Sequence, residues 1–228
     1  MVTGTEEARD SPLLRSSLRE RIKDVMLQRI VAGEYEPGSR LVETRIAQEL
    51  HVSQASVREA LRDLEHIGCV IYEPYRGCSV RSFSIDELLE AFPVRAALEA
   101  LAARLAAERM TAAELRELRA LYDAMLRAAR ADDAHEQSQA DVAFHAAIAR
   151  GARNATLERQ WSFLEPYSRT YVTVTRPGTD LVAVAKQHLP VLDALKAHDA
   201  ERAAAAIEGH LMLAADSLRA HAEREAAG

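Results

Sequence analysis

The sequence predicts a mainly α protein: an N-terminal winged helix-turn-helix followed by a C-terminal all-α antiparallel helical bundle. Three observations carry this. Hydrophobic residues make up 48% of the chain but aromatic residues only 5%, and alanine crowds the second half, which favours helix over sheet. Residues 53–81 read as one amphipathic helix followed by a short hairpin. From Ser84 onward the pattern is purely helical. The expected division is a disordered arm over residues 1–12, a winged unit over 13–82 and a helical unit over 83–228.

Ser53 is a good N-cap, since its hydroxyl can accept from an orphan N–H of the first turn. Val57, Ala60, Leu61 and Leu64 then recur on one face. Gln54, Ser56, Arg58 and Arg62 lie on the other, at the end of the helix where a recognition helix meets base edges. Gly68 suits the C′ position that stops a helix. Two short strands, Cys69 to Glu73 and Cys78 to Arg81, flank the turn Pro74-Tyr75-Arg76-Gly77. An upstream helix, Glu43 to Leu50, joins the recognition helix through His51-Val52-Ser53, which is helix-turn-helix spacing.

The same stretch resembles the DNA-binding head of the GntR family of bacterial transcription regulators. The resemblance rests on Gly33 through Leu41 with Pro37-Gly38 inside, on Ile46-Ala47-Gln48-Glu49-Leu50, on Val57-Arg58-Glu59-Ala60-Leu61 and on Arg76-Gly77-Cys78-Ser79-Val80. It implies a DNA-contacting set of Thr44, Arg45, Ser53, Gln54, Ser56, Arg58, Arg62, Arg76 and Gly77. One departure matters: the family's S-R-x-P is here Ser53-Gln54-Ala55-Ser56. An arginine that commonly contacts guanine is replaced by glutamine, whose amide pairs bidentately with adenine.

Charge and cysteine usage narrow the class. The net charge is −6, which is not that of a generally basic DNA binder. Between Leu13 and Ser82, however, eleven Lys and Arg face ten Asp and Glu, so the acidity lies in the second half. DNA affinity must then come from local placement of arginines and from two heads acting together. Cys69 and Cys78 are not opposed in the hairpin, so reduced thiols and a cytoplasmic, nucleoid-associated setting in a bacterium are expected. No apolar run is long enough to span a membrane and no signal-peptide pattern opens the chain.

Six helices are expected in the second half. Ser84 with Glu87 forms a capping box for a helix to about Arg109, with Pro93 as a kink. Thr111 with Glu114 caps the second, and the third covers about Asp133 to Ala149. Asn154 caps a fourth running through Leu157, Trp161, Leu164 and Tyr171. After Pro177-Gly178 a fifth spans about Leu181 to Ala197, and Asp199 caps a sixth to about Glu223.

Asp141 and His145 share one helical face at i, i+4, while His188 and His210 each lie on an apolar stripe. Three imidazoles and a carboxylate pointing inward suit a divalent ion, zinc first, with nickel or manganese as alternatives. A histidine on an apolar face is more often a satisfied core residue, and the remaining five histidines read as turn or polar-face residues. The quartet gains weight from a second resemblance, to the metal-binding FCD domain of FadR-type GntR regulators, in the shorter, VanR-like six-helix subgroup. That resemblance implies Asp141, His145, His188 and His210 as ligands. It also implies Arg95 as a pocket arginine for a carboxylate effector, against a plain salt bridge with Glu99 at i+4. The chain is then expected to be a ligand-responsive regulator, a repressor, binding a near-palindromic operator as a homodimer and sensing a small organic acid. Two competing readings are a metal-dependent enzyme using the same His/Asp site, and a regulator whose metal is structural or is itself the signal.

Overall fold

The computed structural model describes residues 12–31, 34–164, 169, 170, 173, 174, 176 and 178–227, the side chains of 12–17, 31 and 225–227 excepted. The chain forms two compact units, one ending at Ser82 and one beginning at Phe83. Of the expected disordered arm, residues 1–11 lie outside the described residues, and Pro12 already opens a helix.

In the first unit, helix α1 spans Pro12–Val31, α2 Glu43–Glu49 and α3 Gln54–His66. Strands β1 (Arg40–Leu41), β2 (Val70–Glu73) and β3 (Gly77–Val80) form an antiparallel sheet in the order β1-β3-β2. Ile22, Met26 and Leu27 of α1 are buried, as are Ile46 and Ala47 of α2. The expected apolar face of α3, Val57, Ala60, Leu61 and Leu64, is fully buried. The Ser53 hydroxyl accepts from the Ser56 N–H at 3.1 Å, a cap that contributes about 1 kcal/mol. Gly68, at φ +77°, ends the helix. Its N–H bonds the Glu65 carbonyl at 3.0 Å and that of Cys69 bonds the Leu64 carbonyl at 2.8 Å, which is a Schellman motif. The hairpin pairs Val70 with Val80 and Glu73 with Gly77, and an Arg76 N–H to Glu73 carbonyl bond of 3.1 Å closes its turn.

In the second unit, α4 covers Ile85–Arg109, α5 Ala112–Arg130, α6 Ala134–Gly151 and α7 Ala155–Ser162. Helices α8 (Leu181–Lys186), α9 (Leu189–Lys196) and α10 (Ala200–Ala227) follow. Both capping boxes form, at Ser84/Glu87 and Thr111/Glu114, and Asp133, Asn154 and Asp180 each cap the helix they precede. Helix α4 runs through Pro93 without a break. A core of Phe144, Ile148, Leu118, Met125, Leu192 and Leu195 holds α5, α6 and α9 together. A second cluster joins Leu88, Phe92 and Ala96 of α4 to Leu211, Ala215 and Leu218 of α10.

Two expected helices differ. The fourth stops at Ser162, with Phe163 as its C-cap; Tyr171 lies outside the described residues. A proline at 166 has no N–H for the Ser162 carbonyl, which disfavours a continuing helix without forbidding it, as α4 shows at Pro93. The fifth is two helices rather than one, divided at Gln187-His188. Pro190 cannot donate to the Lys186 carbonyl, and proline is at home in the first turn of a new helix. The six-helix expectation counted these two as one.

Both cysteines are free and buried, and Cys78 pairs in register with Tyr72 rather than with Cys69. Burial pushes the Cys78 thiol up to about 12, so at neutral pH it holds its proton and is a poor nucleophile. Ellman's reagent at pH 8 is expected to find almost no thiol in the native chain and both thiols after denaturation. Prompt reaction of the native protein would show that the wing does not protect Cys78.

Candidate functional site

The DNA-contacting candidates gather around a residue the sequence reading took only as a helix start. The Glu43 carboxylate accepts from Arg58 through Nε (3.0 Å) and Nη2 (2.8 Å), from Gln54 Nε2 (3.0 Å) and from the Tyr72 hydroxyl (3.2 Å). Those bonds, Arg58 first, hold the Glu43 carboxyl below the usual range against the opposing effect of burial. Arg58 and Gln54 are thus fixed side by side at the exposed start of α3. Its family motif places Glu43, but nothing in the spacing announces bonds to residues 11, 15 and 29 positions away.

The other candidates are on the surface to differing degrees. Thr44 and Arg62 are exposed, and Arg45 is exposed while bonded to Glu49 at 2.9 Å. Ser53 and Ser56 share a hydroxyl–hydroxyl bond of 2.8 Å, so part of their capacity goes to capping α3. Arg76 is exposed at the hairpin tip, 3.7 Å from Glu73. Gly77 has φ +84°, a left-handed conformation that by itself calls for glycine. A Cβ there would meet Arg40 Nη2 at an ordinary 3.5 Å, so backbone conformation, not crowding within the chain, selects it.

In the second unit the structure brings together Asp141, His145, His188 and His210, all buried, with one ligand atom of each within 4.8 Å of the others. Asp141 and His145 come from α6 and His210 from α10. His188 comes from the α8–α9 break, not from a helix interior as the sequence reading had it. Each imidazole has its Nδ1 facing an acceptor. For His145 this is Glu99 Oε2; for His188, the Val184 and Ala185 carbonyls at 3.3 and 3.2 Å; for His210, Gln187 Oε1 at 3.1 Å. In a neutral ring that bond places the proton on Nδ1 and leaves an Nε2 lone pair. His145 Nε2 lies 3.1 Å from His188 Nε2, and Asp141 Oδ2 lies 3.2 Å from His188 Nε2. Two imidazole lone pairs at that distance repel unless a proton or a metal ion lies between them.

The quartet therefore fits a divalent ion. Zn–N bonds of about 2.0–2.1 Å put ligand atoms on one ion roughly 3–4 Å apart; Asp141, His145 and His188 show contacts of 3.1, 3.2 and 3.7 Å, and the whole quartet lies within 4.8 Å. The electrostatics of Asp141 and His210 agree. Burial opposes ionisation of Asp141, but His188 and then His145 outweigh it and hold the carboxyl far below its usual range. Burial, with His188 and His145, pushes His210 well below the ordinary imidazole value, so this ring is neutral and able to ligate.

Behind the quartet lies Glu99, which is 1% exposed. Its Oε1 accepts from Arg95 Nε at 3.0 Å and Trp161 Nε1 at 2.9 Å, while Oε2 meets His145. Burial pushes its pKa up, but His145 and Arg95 more than reverse this, to about 2. Burial likewise lowers His145, and Glu99 reverses that, holding it above the usual imidazole value. Arg95 thus makes the i+4 salt bridge with Glu99, adds a 3.4 Å contact to Thr170, and still lines a cavity of about 240 Å³. Asp141 and His210 open onto the same cavity, as do Thr173, Gln187 and His221. His221, read from the sequence as a turn or polar-face histidine, lies on α10 along the cavity wall.

Comparison with known proteins matches this geometry to a family. Residues 18–80 match "Bacterial regulatory proteins, gntR family", and residues 90–213 match the FCD domain. The chain is 33% identical over 205 residues, 90% of both proteins, to the "Probable D-xylose utilization operon transcriptional repressor" of Paenarthrobacter nicotinovorans. The chain belongs to the gntR family of bacterial regulatory proteins. It is 26% identical to the gluconate operon transcriptional repressor of Bacillus subtilis, covering 82% of this chain and 79% of that protein. Escherichia coli McbR/YncC shares the fold, with a TM-score of 0.71 at 24% identity over 90% of this chain and 98% of that one. This gntR member is a ligand-responsive DNA-binding transcription regulator with an FCD effector domain, not an enzyme.

Glu43 gives a prediction in which two effects have opposite signs. Removing an anion beside DNA tightens binding on charge alone, whereas freeing Arg58 and Gln54 loosens it. Because two charge-assisted bonds hold Arg58, we expect positioning to win. Glu43→Ala should weaken operator binding by roughly 1–3 kcal/mol. Tighter binding, measured by fluorescence anisotropy at fixed salt, would show that Glu43 acts only through its charge.

Proposed function

We propose that this regulator is a cytoplasmic repressor that binds a near-palindromic operator as a homodimer. Its signal is a small carboxylate metabolite, held at a divalent metal ion by the FCD domain. One observation carries the proposal: three imidazoles, each facing an acceptor through Nδ1, gather beside Asp141 with one ligand atom of each residue within 4.8 Å of the others, at the wall of a cavity that Arg95 also lines. Asp141, His145, His188 and His210 would hold the ion, and zinc is the first choice for this N/O set, with nickel or manganese next. When bound, the ion supplies a Lewis-acidic anchor for a carboxylate oxygen.

Charge balance supports an anionic effector. Imidazoles ligate as neutral rings, so Asp141, Glu99, Arg95 and a divalent ion together carry one net positive charge. A buried uncompensated charge is costly, and a carboxylate removes it. The cavity's size suits a metabolite of a few carbons. Thr170, Thr173 and Gln187 offer further hydrogen bonds on its walls. Since relatives are named for repressing D-xylose utilization and gluconate operons, sugars and sugar acids are the compounds to test first.

Two outcomes test the proposal directly. Protein purified without chelators should hold one divalent ion per chain by elemental analysis. His188→Ala should lose the ion and the organic-acid thermal shift together, while operator affinity without effector stays within a few-fold. A chain with no ion, whose melting neither zinc, nickel nor manganese raises, would make the quartet a polar core only. Loss of fold on chelation, rather than loss of effector binding alone, would favour a structural metal.

On the DNA side, Arg58→Ala should remove most operator binding, because Arg58 stands where phosphate and base edges are both in reach. Gln54→Arg should change the preferred sequence by about 1–3 kcal/mol per half-site. Selection from random DNA that returns one motif for both the parent and Gln54→Arg would show that Gln54 reads no base.

A further inference from the structure

We infer that Glu99, which touches neither the proposed ion nor the cavity, is a positioning residue that sets the metal affinity by fixing His145, and that Arg95 links it to the cavity. The inference rests on the proposed metal site. It adds a residue outside the ligand quartet and a physical route from the cavity to the ion.

The contacts assign the role. Glu99 Oε2 is the acceptor at His145 Nδ1, and no turn of α6 supplies that acceptor, since Glu99 is on α4. His188 and His210 differ in this respect. Backbone carbonyls of its own α8 hold His188, and the neutral amide of Gln187 holds His210. Only His145 among the three is held by a full carboxylate, and a carboxylate partner makes an imidazole a more basic, better-aligned ligand. Glu99 is in turn fixed by two donors, Trp161 Nε1 at 2.9 Å and Arg95 Nε at 3.0 Å. A carboxylate that is 1% exposed and bonded on both oxygens has no room to swing, so the ring it holds cannot rotate away.

Arg95 makes the connection to the cavity. It shares its guanidinium between Glu99 and the cavity wall it lines. An anion that draws Arg95 toward itself leaves more of Glu99's charge on His145, strengthening that ligand. Anion and ion then favour one another through Arg95 and Glu99 as well as by direct coordination, and the coupling is reciprocal.

The test is a double-mutant cycle read with metal alone. Zinc affinity of the full-length chain is measured by competition with a chromophoric chelator, and cobalt(II) visible spectra report the ligand set. Glu99→Gln should bind zinc about 10–100-fold more weakly than the parent, with cobalt bands moved toward those of His145→Ala. In the His145→Ala background, Glu99→Gln should cost nothing further, because its effect passes through the ring already removed. Trp161→Phe takes away one donor to Glu99 and should weaken zinc binding less, again only when His145 is present; it serves if Glu99→Gln does not fold. Unchanged zinc affinity in both Glu99→Gln and Trp161→Phe would overturn the inference. So would losses that add fully in the His145→Ala background, since those mark a general packing role. If the parent chain takes up neither zinc nor cobalt, the metal reading itself fails and this inference falls with it. Parent binding with insensitive variants fails the inference alone.

Discussion

The constraint on which the effector domain depends is the buried carboxylate of Glu99 and the charges it gathers. Arg95 reaches it along α4, His145 from α6 and Trp161 from α7. Asp141, one turn from His145, then meets His188 at the α8–α9 break, and His210 of α10 closes the group. Taking such ions from water costs several kcal/mol each, and the cost is recovered only when every partner is in place. A shift of α6 by one turn against α4 would part Glu99 from His145 and strand both. Well-packed apolar residues of similar volume often stabilise a core as well or better.

The structure and the sequence agree where the determinants are local. Ser84, Thr111, Asp133, Asn154 and Asp180 cap helices because each side chain accepts from an N–H three residues on, an interaction written entirely in neighbouring positions. Gly68 ends α3 for an equally local reason. Asp141 and His145 are legible as a pair because i, i+4 spacing puts them on one face whatever surrounds the helix. His188 and His210 followed from the resemblance, since their apolar stripes alone fit an ordinary core.

What escaped is non-local or ambiguous. Glu99 has a satisfying partner four residues away in Arg95, so nothing in the sequence calls for a second one 46 residues on. Glu43 served its helix as an acidic first-turn residue, which concealed its bonds to Arg58, Gln54 and Tyr72. The α8–α9 break was in plain view as Pro190, yet the stripe Val184, His188, Val191, Leu195 continues in phase across it. Proline in a first turn restarts a helix almost in register, so periodicity alone reads two helices as one. The consequence is functional. With the helix interrupted, His188 projects from a turn whose Val184 and Ala185 carbonyls, which also accept the Gln187 and His188 N–H groups, face its Nδ1.

The same electrostatics bear on how a signal is made. An effector shifts a regulator only by the difference in its affinity for two states, commonly about 1–3 kcal/mol. A cavity holding Arg95 already paired to Glu99 gives an anion little gain from the arginine alone, because Glu99 competes for it. The proposed divalent ion on the quartet would reverse the balance, leaving net positive charge for an anion to offset. Ion and anion would then behave as sequential conditions: by the same count, without the first the second meets a site with one net negative charge. On the proposed reading, such a site would respond to an organic acid only in a metal-replete chain, with a sensitivity set by how firmly Glu99 holds His145.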